Sequence, residues 1–141
     1  MIAFALLPFF FYGGDVFGST SITFTTISSQ EQWDSVMTVS KETGKPVFVD
    51  VYAVWCGFCK RLHRFVYTDS AVAAYFNDHF INITLDGEQS FGRHIVSVYG
   101  IRGYPTLLFL NDRGGLLQRV NGYVEPAVLL SHGRRATERA R

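Results

Sequence analysis

Trp55-Cys56-Gly57-Phe58-Cys59-Lys60 holds the only two cysteines of a 141-residue chain. With both thiols in one C-x-x-C, none remains for a disulfide framework elsewhere, so the pair is redox-active, metal-binding or incidental. The flanks favour redox. Pro46-Val47-Phe48-Val49-Asp50-Val51-Tyr52-Ala53 is an apolar, strand-like run leading into the motif, and Lys60-Arg61-Leu62-His63-Arg64-Phe65-Val66 leaves it with helical character. A strand that turns into a helix here sets Cys56 at a helix N-terminus. Free backbone N–H groups and the helix dipole stabilise a thiolate at that position.

The rest of the composition narrows the class. Residues are 48% hydrophobic and 16% aromatic, which suits one folded domain with its own core rather than a disordered chain. A formal net charge of +1 gives no electrostatic case for nucleic acid. Arg134, Arg135, Arg139 and Arg141 read as a solvated basic tail over 134–141. Ile2-Ala3-Phe4-Ala5-Leu6-Leu7-Pro8-Phe9-Phe10-Phe11-Tyr12 is a continuous apolar run, too short to span a bilayer as a helix. Its length suits the h-region of a secretory signal, ended by Gly13-Gly14. No Lys or Arg precedes it and no clear A-x-A site follows, so a buried or partner-facing extension stands as the alternative. The expectation is export, with residues 1–21 as leader and connector and a periplasmic or otherwise extracytoplasmic protein. The alternative is a cytoplasmic one. Membrane contact is expected only through this segment, if it is retained.

Outward from the motif, residues 22–27 alternate as a first strand. Ser28 or Ser29 caps a helix with Trp33, Val36 and Met37 on its apolar face, and Gly44 closes it. Thr68-Asp69-Ser70 caps a further helix carrying Val72, Tyr75, Phe76 and His79. Residues 80–86 alternate as a strand, 88–99 form a helix and 106–110 a fully apolar strand. Asn111-Asp112-Arg113-Gly114-Gly115 is a hairpin turn into a strand from Leu116. Glu125-Pro126 opens a last helix that Gly133 is expected to cut short. Parallel pairing in the first half and a late hairpin make residues 22–133 an α/β domain. Its central mixed sheet is covered by helices on both faces.

A C-x-x-C near a βαβ pattern reads as a thioredoxin-like redox motif, and the chain resembles the thioredoxin superfamily on further residues. Asp50 lies on the preceding strand, six residues before Cys56, where the family keeps a buried carboxylate. Gly103-Tyr104-Pro105-Thr106 is similar to its cis-proline loop. Gly122 follows the last strand, where the family lines its substrate groove with glycine. Within the superfamily, Phe65-Val66-Tyr67-Thr68-Asp69-Ser70-Ala71-Val72 followed by the strand at 80–86 resembles bacterial domains related to the C-terminal domain of the disulfide reductase DsbD. Phe58 stands where many of those have Trp and thioredoxin has Pro. Asn82 falls where thioredoxin carries a lysine near the carboxylate.

The resemblance implies a thiol–disulfide oxidoreductase with a thioredoxin fold, acting on protein disulfides as a reductase. It would be resupplied by an upstream thiol donor, as a monomer, with no cofactor beyond a redox-active Cys56–Cys59 disulfide and no metal. Cys56, at the exposed start of the helix, is the expected attacking thiol, and Cys59, more buried, the resolving one. Asp50 is the expected proton acceptor, since burial raises a carboxylate pKa; the alternative is a partly exposed Asp50 paired with Lys60 or Lys45. Tyr104 beside a cis Pro105 would offer its backbone to an extended substrate. Trp55, Gly57, Phe58 and Gly122 would complete the groove, while Trp33 belongs to the core. Phe58 in place of Pro predicts a poise somewhat more oxidising than the thioredoxin value of about −270 mV. Two rival readings remain. One is a metal domain using Cys56, Cys59, His63 and a remote His79 or His94, against which His63 reads as a solvent-facing helix residue. The other is a non-catalytic binding module that uses the groove alone.

Overall fold

In the computed structural model residues 20–141 are described, so the expected leader lies almost wholly outside the described residues. Period-two alternation divides β2 (Val47–Tyr52) between two layers. Val47, Val49 and Val51 enter one core, while Phe48 enters the other and Asp50, two residues on, shares its face. β3 (Ile81–Asp86) pairs with β2 in parallel and β4 (Thr106–Leu110) pairs with it antiparallel. β1 (Thr25–Thr26) flanks β3, and β5 (Leu116–Asn121) flanks β4 through the hairpin. The order β1-β3-β2-β4-β5 makes β2 and β4 interior strands, which explains why both read as continuous apolar runs.

Helices fill both faces. α1 (Gln30–Thr43) begins where the Ser29 hydroxyl accepts from the Gln32 N–H and ends at Gly44, whose φ of 72° closes the helix in the left-handed region. With α4 (Ser90–Val98) it packs Trp33, Val36 and Ile95 on Val49, Ile83 and Leu108. On the opposite face lie α2 (Gly57–Arg61), running on through a π turn at Leu62–Val66, then α3 (Ser70–His79) and α5 (Pro126–Arg139). Phe48 centres that layer, 4.9 Å from the ring of Phe76 at 81° and 4.9 Å from Phe109.

Three sequence expectations need correction. β1 is shorter than the strand expected at 22–27, because its N-terminal flank is tied elsewhere: Ile22 N donates to Tyr67 O and Thr23 N to Asn77 Oδ1, while Ile27 N still donates to Thr84 O of β3. Gly133 does not interrupt the last helix. A Cβ there would stand 2.9 Å from the Phe76 ring, so glycine gives α5 room against that ring and the helix continues to Arg139. The basic cluster is accordingly not all solvated tail. Arg139 donates to Leu117 O at 2.7 Å, and Arg134 lies 5.8 Å above Tyr75.

The α5–β5 clasp carries a pH signature. Gln118 Nε2 lies 2.6 Å from His132 Nδ1, a contact the neutral ring accepts. Burial first, then the Arg135 charge, lowers the His132 pKa. A lowered folded pKa means that the unfolded chain binds more protons, so this contribution is full above the unfolded value and fades as pH falls through the folded one. Below about pH 6.5 the thermal midpoint is expected to fall slightly. Melting curves of His132→Gln across pH should lose that part of the slope.

Candidate active site

β2 ends in a turn that delivers the cysteines. Cys56 N donates to Ala53 O at 3.1 Å, and Cys56 then becomes the N-cap of α2, its Sγ accepting from Cys59 N–H at 3.1 Å. Cys56 and Cys59 are joined in a disulfide with Cα atoms 5.3 Å apart. Contrary to the expected contrast in burial, both are 3% exposed. What separates them is position. Cys56 occupies the cap, facing the helix's free N–H groups, and Cys59 lies inside the first turn. Ala53, Tyr52 and Tyr104 pack around the pair.

Aromatic residues rim it. Trp55 is 67% and Phe58 57% exposed. The Trp55 indole N–H donates to Glu88 Oε1 at 2.8 Å, and its ring stands 6.0 Å from Tyr104 at 78°. Phe58 lies 6.3 Å from Tyr123, over which Arg61 is stacked at 5.1 Å. Glu88 and Tyr123 were not picked out by sequence reading: Glu88 reads as the first residue of the helix expected at 88–99 but lies in the turn ahead of it, and Tyr123 follows β5 with no periodic signal.

The Tyr104–Pro105 peptide is cis. The Pro105 carbonyl accepts from Gly122 N–H at 2.8 Å, and Gly122 adopts a φ of +86° that disfavours any side chain. Tyr104, Pro105 and Gly122 thus border one hollow of about 420 Å³, shared with Arg102 and Arg119. The Tyr104 phenol is pushed up, first by burial and then by the charges of Glu88 and Asp86, against a smaller opposing effect of Arg93.

Beneath α2, Asp50 is fully buried. It pairs with neither Lys60 nor Lys45. Its Oδ2 accepts from the Thr84 hydroxyl at 3.1 Å and lies 2.9 Å from His63 Nε2. Thr84 is its register partner on β3. Asn82, expected near the carboxylate, lies opposite Phe48 and donates to Phe76 O at 3.1 Å. His63 is not a free surface residue either. It stands one turn after Cys59, hence on the same helix face, which is the face turned to Phe48 and Asp50. His63 lies inside the π turn, which Tyr67 N closes by donating to Leu62 O, a feature often found at functional sites. Tyr67 packs edge-on to His63 at 4.8 Å. Its phenol is raised well above the ordinary value by burial and then by the neighbouring Asp50. Asp50 Oδ1 and the Tyr67 hydroxyl are buried without a hydrogen-bond partner among the described residues.

Cys59, His63 and Thr84 line one cavity of about 720 Å³ with Tyr52, Ala53 and Lys60. The metal ligands considered from sequence are not assembled: His63 is bonded to Asp50, and His79 stacks on Tyr75 at 4.0 Å. Among the described residues no group of three or more His, Cys, Asp or Glu side chains is arranged to hold a metal ion.

A mixed five-stranded sheet with a C-x-x-C disulfide at a strand-to-helix turn, facing a proline loop, defines a thioredoxin-like domain. The sequence profile of the thioredoxin-like domain family matches residues 33–137, and the chain belongs to that family. It is 30% identical over 127 residues to the thiol:disulfide interchange protein DsbD of Salmonella typhimurium, covering 82% of this chain and 22% of that protein. It is 27% identical to the DsbD of Photorhabdus laumondii over 117 residues, 79% of this chain and 20% of that one. The chain therefore spans about a fifth of the length of these relatives. Among solved structures, a candidate disulphide-isomerase from Bacteroides thetaiotaomicron matches with a TM-score of 0.72 and 36% identity, over 84% of this chain and 94% of that one. The oxidised C-terminal domain of Neisseria meningitidis DsbD superposes with a TM-score of 0.64 at 22% identity, over 76% of this chain and 95% of that domain. That likeness concerns the fold alone.

Proposed function

We propose that this chain is a thiol–disulfide oxidoreductase acting on protein disulfides, and that it works as a reductase. The observation that carries the reading is the Cys56–Cys59 disulfide capping α2 against Tyr104, above a fully buried Asp50. In the reduced state the Cys56 thiolate attacks a substrate disulfide and forms a mixed disulfide, releasing one substrate thiolate. Cys59 gives its proton to Asp50 and attacks Cys56 Sγ. The Cys56–Cys59 bond forms and the second substrate thiolate leaves, so the substrate gains the two electrons that the dithiol loses. An upstream thiol donor restores the dithiol, and no other cofactor is required. Among the described residues Tyr104 N–H and C=O lack backbone partners, which suits pairing with an extended substrate strand. Trp55 and Phe58 supply apolar contacts for the same segment. Likeness to DsbD favours the reducing direction. Together with the apolar run before residue 20 it also favours an extracytoplasmic site of action. The working unit is a monomer.

The test is insulin-disulfide reduction in dithiothreitol. The wild-type chain should accelerate insulin precipitation and the Cys56→Ser/Cys59→Ser double variant should not. Equal rates for the two would leave a binding module instead. Phe58→Pro should lower the reduction potential of the pair, measured against glutathione, with little loss of stability because Phe58 is an exposed rim residue. An unchanged or raised potential would remove Phe58 as the residue that tunes the poise.

A further inference from the structure

We propose that His63 is a positioning residue that relays the proton of the buried Asp50 to solvent during the resolving step. The inference rests on the oxidoreductase reading above. Asp50 is fully buried and so cannot exchange a proton with water at its own surface. By distance and angle its hydrogen-bond partners are Thr84 and His63, both on Oδ2, and the Tyr67 hydroxyl stands close enough to the carboxylate to interact with it. Thr84 is 8% exposed and donates its hydroxyl proton to Asp50. Tyr67 is buried, with a phenol that holds its proton. The His63 side chain is 46% exposed. Of these three neighbours it is the one with a largely solvent-exposed side chain, and it shares a cavity with Cys59.

The step balances without an added reactant. The Cys59 proton passes to Asp50 as Cys59 Sγ bonds to Cys56 Sγ and the Cys56–substrate bond breaks. Asp50 Oδ2 hands that proton to His63 Nε2, and the imidazolium releases its Nδ1 proton to water. In the reverse direction the same path supplies a proton to Cys59. The groups facing His63 are Asp50 and, across the cavity, Tyr52 from β2, the neutral Thr84 hydroxyl from β3, and Lys60, Arg64 and Tyr67 from its own segment. Phe24, ahead of β1, contributes only an uncharged ring at 5.6 Å.

The test measures single-turnover oxidation of the reduced chain by a disulfide-bonded protein from about pH 5 to 8, the interval in which imidazoles change charge. His63→Ala and His63→Gln should both slow exchange by about tenfold or more, less than the 10²–10⁴ of a directly acting acid–base group, and should lose the wild-type pH dependence. Glutamine keeps a hydrogen bond with Oδ2 but cannot take up and release a proton, so recovery in His63→Gln would reduce His63 to a structural prop and overturn the relay. Free imidazole should restore the rate of His63→Ala and leave the wild type unchanged. If water entering the cavity serves Asp50 directly, His63→Ala keeps the wild-type profile, and the relay is likewise overturned. An inert wild-type chain, or activity that survives Cys56→Ser, strikes instead at the oxidoreductase reading.

Discussion

An alanine at Gly92 is expected to cost about 3 kcal/mol or more, beyond the usual penalty for overpacking, and to lower the thermal midpoint by roughly 10 °C. Helix propensity alone predicts the opposite sign, since Ala exceeds Gly by about 1 kcal/mol in a helix interior. Position decides. Gly92 lies in the first turn of α4, where a Cβ would stand 2.7 Å from the carbonyl carbon of Asp86 and closer still to its oxygen. That carbonyl cannot retreat easily. It accepts from Gln89 N–H at 3.3 Å, and the next residue, Gly87, donates to Tyr52 O at 2.8 Å. Gly57 is the control, a helical glycine with nothing within 4 Å of a Cβ. Alanine there should leave the midpoint unchanged or slightly raised. A Gly92→Ala chain that melts at the wild-type temperature would mean that the β3–α4 turn yields freely.

Cys56→Ser is expected to reduce the rate of protein-disulfide exchange to that of dithiothreitol alone. A serine hydroxyl at neutral pH supplies no anion comparable to a thiolate at a helix N-terminus. Compared with the reduced wild type, stability should change little, because the cap geometry survives: a serine oxygen can accept the Cys59 N–H that Cys56 Sγ now accepts. Cys59→Ser should differ in kind. The first attack proceeds, but nothing resolves the mixed disulfide, so multiple turnover fails while a single bond-forming event is retained. Rates of insulin reduction under single- and multiple-turnover conditions separate the two variants.

Much of this was legible in sequence where local rules suffice. Ser29, Asp69 and Gly44 announce helix ends because capping depends on a few neighbouring atoms, and Asp69 does accept from Ala71 and Val72 N–H at 3.1 Å. The apolar runs of β2 and β4 announce interior strands. The cysteines, Tyr104-Pro105 and Gly122 stood out through motif and resemblance, and the fold draws Cys56, Cys59 and Tyr104 together and hydrogen-bonds Gly122 to Pro105. What was missed depends on how separate elements lie against each other. The His63–Asp50 contact needs the rotation of α2 over β2; the signals, Cys59 to His63 at i,i+4 and Asp50 in phase with Phe48, point the right way only when taken together. Gly133 reads as a helix breaker until the Phe76 ring is seen in its place. The equal burial of the two cysteines reflects Tyr52 at the end of β2 and, from far along the chain, Tyr104 packing against the pair.

Intact-mass analysis of Cys59→Ser incubated with a disulfide-bonded protein such as insulin tests the central claim most directly. The account predicts a covalent one-to-one adduct through Cys56, released by dithiothreitol and missing from the Cys56→Ser/Cys59→Ser double variant. No adduct, or an adduct that forms equally well without Cys56, would contradict it.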